Sequence, residues 1–256
     1  MMRITDTVKH LLIINVVMFI GTIFVGNGEL FYKWFALYFP GNDLFQPWQI
    51  ITHMFMHGGA NMDNFSITHL LFNMFALWMF GTAVEQQLGS KKFLFIYISA
   101  GLGAVLFQLG YYYFNYLPLH ADLIASGISS SEIIKMLTSN EAISGISQVQ
   151  FSQLKELFPI YNASMVGASG CIMGVLAAFG MKNPEAKLML IFLPIPIKAK
   201  YFIPGIIILD VVSALTGQSF FSPSNTAYMA HVGGALTGFF IMWYWKKNQF
   251  NKNRWN

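Results

Sequence analysis

Six apolar stretches, at about 8–26, 66–88, 92–115, 163–181, 201–217 and 227–245, each approach or exceed the roughly 20 residues that cross a hydrocarbon core of about 30 Å. Lipid offers backbone N–H and C=O groups no partners, so each stretch must satisfy its own by forming a helix. Composition agrees, since 55% of the 256 residues are hydrophobic and only 10% are charged, too few polar side chains to cover a soluble surface. The expected fold is an all-α polytopic membrane protein with six transmembrane helices, residues 1–256 forming one membrane domain. The first apolar run, HLLIINVVMFIGTIFVG, has no small-residue cleavage site after it and reads as a retained span, not a cleaved signal.

Lysine and arginine set the orientation. With the N-terminus cytoplasmic, Arg3, Lys9, Lys91, Lys92, Lys182, Lys187, Lys198, Lys200, Lys246, Lys247, Lys252 and Arg254 fall inside, and only Lys33, Lys135 and Lys155 fall outside. Both termini are therefore expected in the cytoplasm. The net charge of +4 is then a topology signal, and no basic patch interleaved with aromatics points to nucleic acid as a partner. The single cysteine, Cys171, excludes an intrachain disulfide, and without a clustered Cys/His set no metal or other cofactor is expected.

Two outer loops are long. The first, about 27–65, is rich in aromatics and reads as lying in the interface. The other, about 116–162, reads as one or two short amphipathic helices beginning at a serine cap. No internal repeat is evident, which disfavours a transporter.

The informative residues are polar ones in the apolar stretches. Ser169, in NASMVGASGCIMGVLAAFGM, is expected about six residues, or about 9 Å, below the outer end of the fourth span. His69 and Asn73 share one face at the outer end of the second span, and His231 lies just below the outer end of the sixth. All four fall in one layer. Gly170 and Gly174 in the fourth span, and Gly234 and Gly238 in the sixth, are small-x-x-x-small pairs that let two helix backbones approach closely. Such a crossing would bring the Ser169 hydroxyl within hydrogen-bond reach of the His231 imidazole, the requirement for a base-activated nucleophile. The Asn73 amide, His69 and the Ser169 backbone N–H are the donors available to a tetrahedral oxyanion.

These strings together, GASG with Ser169, HLLFN with His69 and Asn73, AVEQQLG with Glu85 and Gly89, and AHVGGALTG with His231, resemble the rhomboid intramembrane serine proteases over roughly residues 45–245. The resemblance implies a six-helix rhomboid-like bundle in which Ser169 is the nucleophile and His231 the general base, a dyad without an acid. His69 and Asn73 would help to stabilise the oxyanion, and Gly167, Gly170, Gly174, Gly234 and Gly238 would pack the site. It also implies single-pass transmembrane substrates cut near their outer ends. Three features depart from the family: Trp48-Gln49 stands where a Trp-Arg pair is common, Met173 stands where many members pack a tyrosine under the histidine, and GGANMDNFSIT lengthens the stretch between His57 and His69.

Other readings stand beside these. GASGC is not a G-x-S-x-G nucleophile elbow, because position 171 is cysteine and the context is an apolar helix. Cys171 points about 200° away from Ser169 around a helix and reads as packing. Asp210, an intramembrane acid, is a functional candidate by default, but a hydrogen-bonded or water-facing structural role is preferred to one in orienting His231. Glu85 is expected to bind helix ends or loop amides, and His53 and His57 to anchor the first loop by hydrogen bonds. A catalytically silent binder of membrane clients is disfavoured by the intact Ser169 and His231. Compactness favours a bacterial cytoplasmic membrane, with the site opening to the outer side.

Overall fold

The computed structural model describes residues 3–58, 66–190, 193–220 and 226–252; most of the lengthened stretch between His57 and His69 lies outside them. The chain is mostly helical, and a helix occupies each of the six predicted spans. These are α1 (Asp6–Phe24), then, after two short loop helices, α2 (Glu29–Phe35) and α3 (Gln49–Thr52), the second span. That span is α4 (Thr68–Ala76) continued through a π-helical turn, Leu77–Gly81, into α5 (Thr82–Leu88). The third is α6 (Ser90–Ala125), the fourth α9 (Ser169–Lys182), the fifth α10 (Ala199–Thr216) and the sixth α11 (Tyr228–Lys252). By length and composition α1, α6 and α10 can each cross a membrane, and α9 is a shorter apolar helix.

Two boundaries differ from expectation. Helix α6 runs for 36 residues, about 54 Å at 1.5 Å per residue, well beyond a hydrocarbon core of about 30 Å. Its extension absorbs the first part of the predicted 116–162 loop. Against it pack α7 (Ser130–Ser139) and α8 (Gln148–Tyr161), each opened by a capping box on the expected kind of residue, Ser129 and Ser147. Tyr116 and Leu123 of α6, with Ile133, Leu137, Leu157 and Tyr161, form a second core distinct from that of the bundle.

Helix α9 has only 14 residues, about 21 Å. The chain before it, expected to be helical, is extended: β2 (Ser164–Met165) pairs antiparallel with β1 (Leu37–Tyr38) of the first loop, Leu37 opposite Met165 and Tyr38 opposite Ser164. Irregular backbone at membrane depth is tolerated only where protein or a water-lined cavity surrounds it, and the first loop supplies that cover. Ser169 is thus the first residue of a short helix rather than the seventh of a long one.

Gln49 holds the first loop together. Its side chain is fully buried; its Oε1 accepts from the Tyr38 and Gln46 backbone N–H groups at 3.4 and 3.0 Å, and its Nε2 donates to the Lys33 and Leu44 carbonyls at 3.2 and 2.9 Å. Gln49, standing where the family commonly has the arginine of a Trp-Arg pair, thus makes four contacts to the loop backbone itself. Gln49→Leu leaves these backbone groups without their partner, and a loss of about 2–4 kcal/mol is expected, read as a lowered unfolding midpoint in detergent.

Between α9 and α10 lies an unanticipated hairpin, β3 (Lys187–Leu190) and β4 (Leu193–Lys198). At its base Glu185 bridges Lys198 at 2.7 Å and Lys200 at 2.5 Å, and hydrogen bonds from these two ammonium groups hold its carboxyl down at about 2 against an ordinary 4.5. A depressed carboxyl stabilises the fold above its unfolded value and ceases to do so as pH falls through the folded one. Hydrogen-exchange protection of the hairpin is expected to weaken as pH drops from about 4.5 toward about 2, and Glu185→Gln to remove that dependence.

Candidate active site

The bundle is built around α9. Residues Gly170–Ala178 are all buried, surrounded by α6, α10, α11 and the π turn before α5. The paired glycines mark how close α11 comes. A Cβ at Gly234 would collide with the Gly170 carbonyl, and one at Gly238 would lie 2.6 Å from Gly174 Cα. The small-x-x-x-small pairs thus face each other as expected. Gly170 and Gly174 also abut Ala104 and Ala100 of α6, and Gly103 of α6 abuts Gly233 and Thr237 of α11, so α6, α9 and α11 form a three-helix unit at near-backbone contact.

This crossing puts Ser169 Oγ 2.9 Å from His231 Nε2. The other ring nitrogen, Nδ1, is 2.9 Å from Asp210 Oδ2. Asp210 is wholly buried on α10 and His231 nearly so, whereas Ser169 and His69 are partly exposed. Asp210 is thus hydrogen-bonded, as preferred for it, and its partner is the His231 imidazole. Met173, which stands where many family members pack a tyrosine under the histidine, belongs to the main core.

His69 also lies near the serine, across Gly167. Its Nδ1 accepts from the Gly58 N–H at 3.3 Å, and a ring nitrogen that accepts leaves the proton on the other, so Nε2 is a donor. A Cβ at Gly167 would sit 3.2 Å from His69 Nε2 and 3.7 Å from Ser169 Oγ. Gly167 therefore keeps open the space between donor and hydroxyl, and its φ of +130° is one that side chains resist. Its N–H donates to the His53 carbonyl at 3.0 Å, tying the first loop to the turn before the serine. Asn73 donates to the His69 carbonyl at 2.9 Å and so steadies the first turn of α4. Ser169 opens α9, with Ala168 as an N-cap that offers no side-chain hydrogen bond, so the first N–H groups of the helix remain directed at the site.

The remaining histidines divide. His53 Nδ1 bonds the Gln49 carbonyl at 2.8 Å, the anchoring expected of it. His57 is fully buried and packs against the His69 ring with centroids 5.2 Å apart, with the Phe55 backbone as its polar neighbour. Burial pushes His53 down to about 4 and His57 to about 3, so both are neutral near pH 7. Glu85 lies far from the site and accepts from Thr5 Oγ1, the Thr7 and Val8 N–H groups and Ser90 Oγ, gathering the start of α1 as a helix-end acceptor. Cys171 is buried against Gly101 and Met54. Gln108 of α6 was not anticipated; its Oε1 accepts from the Ala230 N–H at 3.2 Å and caps the first turn of α11 beside His231. Its signal was an amide midway along an apolar helix. Among the described residues no cluster of three or more His, Cys, Asp or Glu side chains could hold a metal ion.

Comparison with known proteins matches residues 44–248 to the family model of the rhomboid domain. The chain belongs to the rhomboid family. Among its rhomboid relatives are the presenilin-associated rhomboid-like protein, mitochondrial, of Rattus norvegicus, 29% identical over 196 residues, which cover 74% of this chain and 39% of that one. Rhomboid protein 1, mitochondrial, of Saccharomyces cerevisiae is 28% identical over 74% of this chain and 41% of its own. Rhomboid protease AarA of Providencia stuartii is 27% identical over 76% of this chain and 54% of its own. The chain thus spans between about two fifths and about half of the length of these relatives.

Proposed function

We propose that this rhomboid is an intramembrane serine endopeptidase in which Ser169 attacks a peptide carbonyl of a transmembrane substrate and His231 manages the proton. The observation that carries this reading is the 2.9 Å hydrogen bond between Ser169 Oγ and His231 Nε2 at the first residue of a buried helix. As Oγ bonds to the carbonyl carbon, Nε2 takes its proton; the tetrahedral oxyanion faces His69 Nε2–H and the N–H groups that open α9, with Asn73 in support. Collapse expels the amine, which takes the proton back from His231, and a water activated by the same imidazole then hydrolyses the acyl-enzyme.

Depth supports a substrate that crosses the membrane. With Lys182 at the cytoplasmic surface, a helix of about 21 Å ends about 9 Å short of the far side of a core of about 30 Å. A peptide bond cut there lies within the outer part of the bilayer. A hydrogen-bonded helix hides its carbonyls, so the substrate, a single-pass protein by the family resemblance, must unwind locally before attack. The distribution of lysine and arginine favours both termini in the cytoplasm and a site opening outward. A bacterial cytoplasmic membrane remains our reading of the compartment, although relatives named above include mitochondrial proteins.

The test is cleavage of a panel of labelled single-pass substrates by the purified protein in liposomes. Wild type is expected to cut and Ser169→Ala to leave the substrate intact; equal cleavage by the two would overturn the assignment. If folded wild type binds clients and cuts none, the reading as a silent binder replaces it.

A further inference from the structure

We infer that Asp210 is a positioning residue for His231, so that the site works as a Ser169–His231–Asp210 triad rather than a dyad; this rests on the protease reading above. The geometry supplies the reason. For Nε2 to take the serine proton it must be unprotonated in the resting state, which requires the single proton of a neutral imidazole to sit on Nδ1. Nδ1 is 2.9 Å from Asp210 Oδ2, an acceptor that selects this tautomer, as a donor at the same place would select the wrong one. The same contact fixes the plane of the ring, which the serine hydroxyl alone cannot do.

Burial strengthens the argument. When His231 accepts the proton it becomes a cation in a region with little water, where an adjacent carboxylate offsets far more of the cost than it would at a surface. Asp210 belongs to the buried stripe of α10, Ile203, Ile206, Asp210 and Ser213, which faces the bundle. It lies six residues before the outer end of α10 at Thr216, about 9 Å down the helix, the depth reckoned for Ser169. A carboxyl group retained at such a place is expensive unless its partner needs it. In soluble Ser-His-Asp hydrolases replacing the acid by its amide lowers kcat by about 10⁴, and a somewhat smaller loss is expected here because the α10–α11 packing also restrains the ring.

The experiment compares wild type with Asp210→Asn in liposomes. The expected result is a kcat lower by about 10²- to 10⁴-fold with KM within about threefold and an unchanged unfolding midpoint. A folded Asp210→Asn protein whose kcat stays within threefold of wild type overturns the inference. Independently of turnover, and of whether the variant folds, ¹⁵N-histidine NMR of the wild type reports the tautomer of His231. A strongly deshielded proton on Nδ1 and a bare Nε2 support the triad; a proton on Nε2 overturns it. Failure of wild type to cleave, or cleavage by Ser169→Ala, would count against the protease reading alone, and the tautomer would still decide the role of Asp210.

Discussion

His231→Ala, Ser169→Ala and the double variant are expected to fall to the same residual cleavage rate, about 10⁴- to 10⁶-fold below wild type, rather than to show additive losses. The hydroxyl is a poor nucleophile until its proton has somewhere to go, and in this structure the only imidazole hydrogen-bonded to it is that of His231. Removing either partner removes the same step, so the second substitution has nothing left to cost. The residual rate would come from the His69 side and from the N–H groups that open α9, which bind the oxyanion without either residue. Single-turnover kinetics in liposomes distinguish the cases. Losses that multiplied across the two sites would mean that Ser169 and His231 act in separate steps, and the 2.9 Å contact would then be structural. His57→Ala serves as contrast. Its ring packs against His69 and takes no part in the Ser169–His231 contact, so a change confined to stability and KM is expected there.

Much of the site was legible because lipid removes most of the ambiguity in an apolar sequence. A polar residue among leucines and phenylalanines must be satisfied by something, and four of them at one depth limit what that can be. Glycine spacing added the distance. Gly170 and Gly174 facing Gly234 and Gly238 cannot be replaced by alanines without collision, and it is this that brings two side chains 62 positions apart within 2.9 Å. Asp210 was legible in part. It stood out as an acid in a span, but composition says nothing of which way a helix is turned. The stripe at positions 203, 206, 210 and 213, at steps of three and four, contained that information.

The start of α9 was missed because hydropathy is blind to backbone pairing. Residues 163–168 are as apolar as the helix that follows, yet the bonds between Leu37–Tyr38 and Ser164–Met165 join segments more than 120 positions apart, a long-range pairing no local period reveals. The positive φ of Gly167 was the one local sign that the helix had not yet begun. The β3–β4 hairpin escaped notice because its strands are short, KLML and LPIPIK, the second interrupted by two prolines, and neither shows the apolar–polar alternation that marks a half-exposed strand.

The second large effect is expected at a residue that touches no substrate. Gly234→Ala places a methyl carbon 2.8 Å from the Gly170 carbonyl carbon and 3.2 Å from its Cα, atoms of a helix backbone that cannot rotate aside as a side chain can. The helices must then separate, but they are pinned a turn below by Gly238 on Gly174 and on the far side by Gly174 on Ala100, so the strain is taken up by tilting at the Ser169 end. Overpacking of this kind costs about 1–3 kcal/mol, and displacing reacting groups by about 1 Å can cost about 10² in rate. The expected outcome is a protein that still inserts, unfolds at a lower midpoint and cleaves at least about a hundredfold more slowly. Gly110→Ala, in α6 with nothing within 4 Å of the new carbon, should remain within about 1 kcal/mol of wild type and fully active. Should Gly234→Ala match Gly110→Ala in both measurements, close approach of α9 and α11 would not be what aligns Ser169 with His231, and the burden of alignment would pass to Asp210 and the first loop.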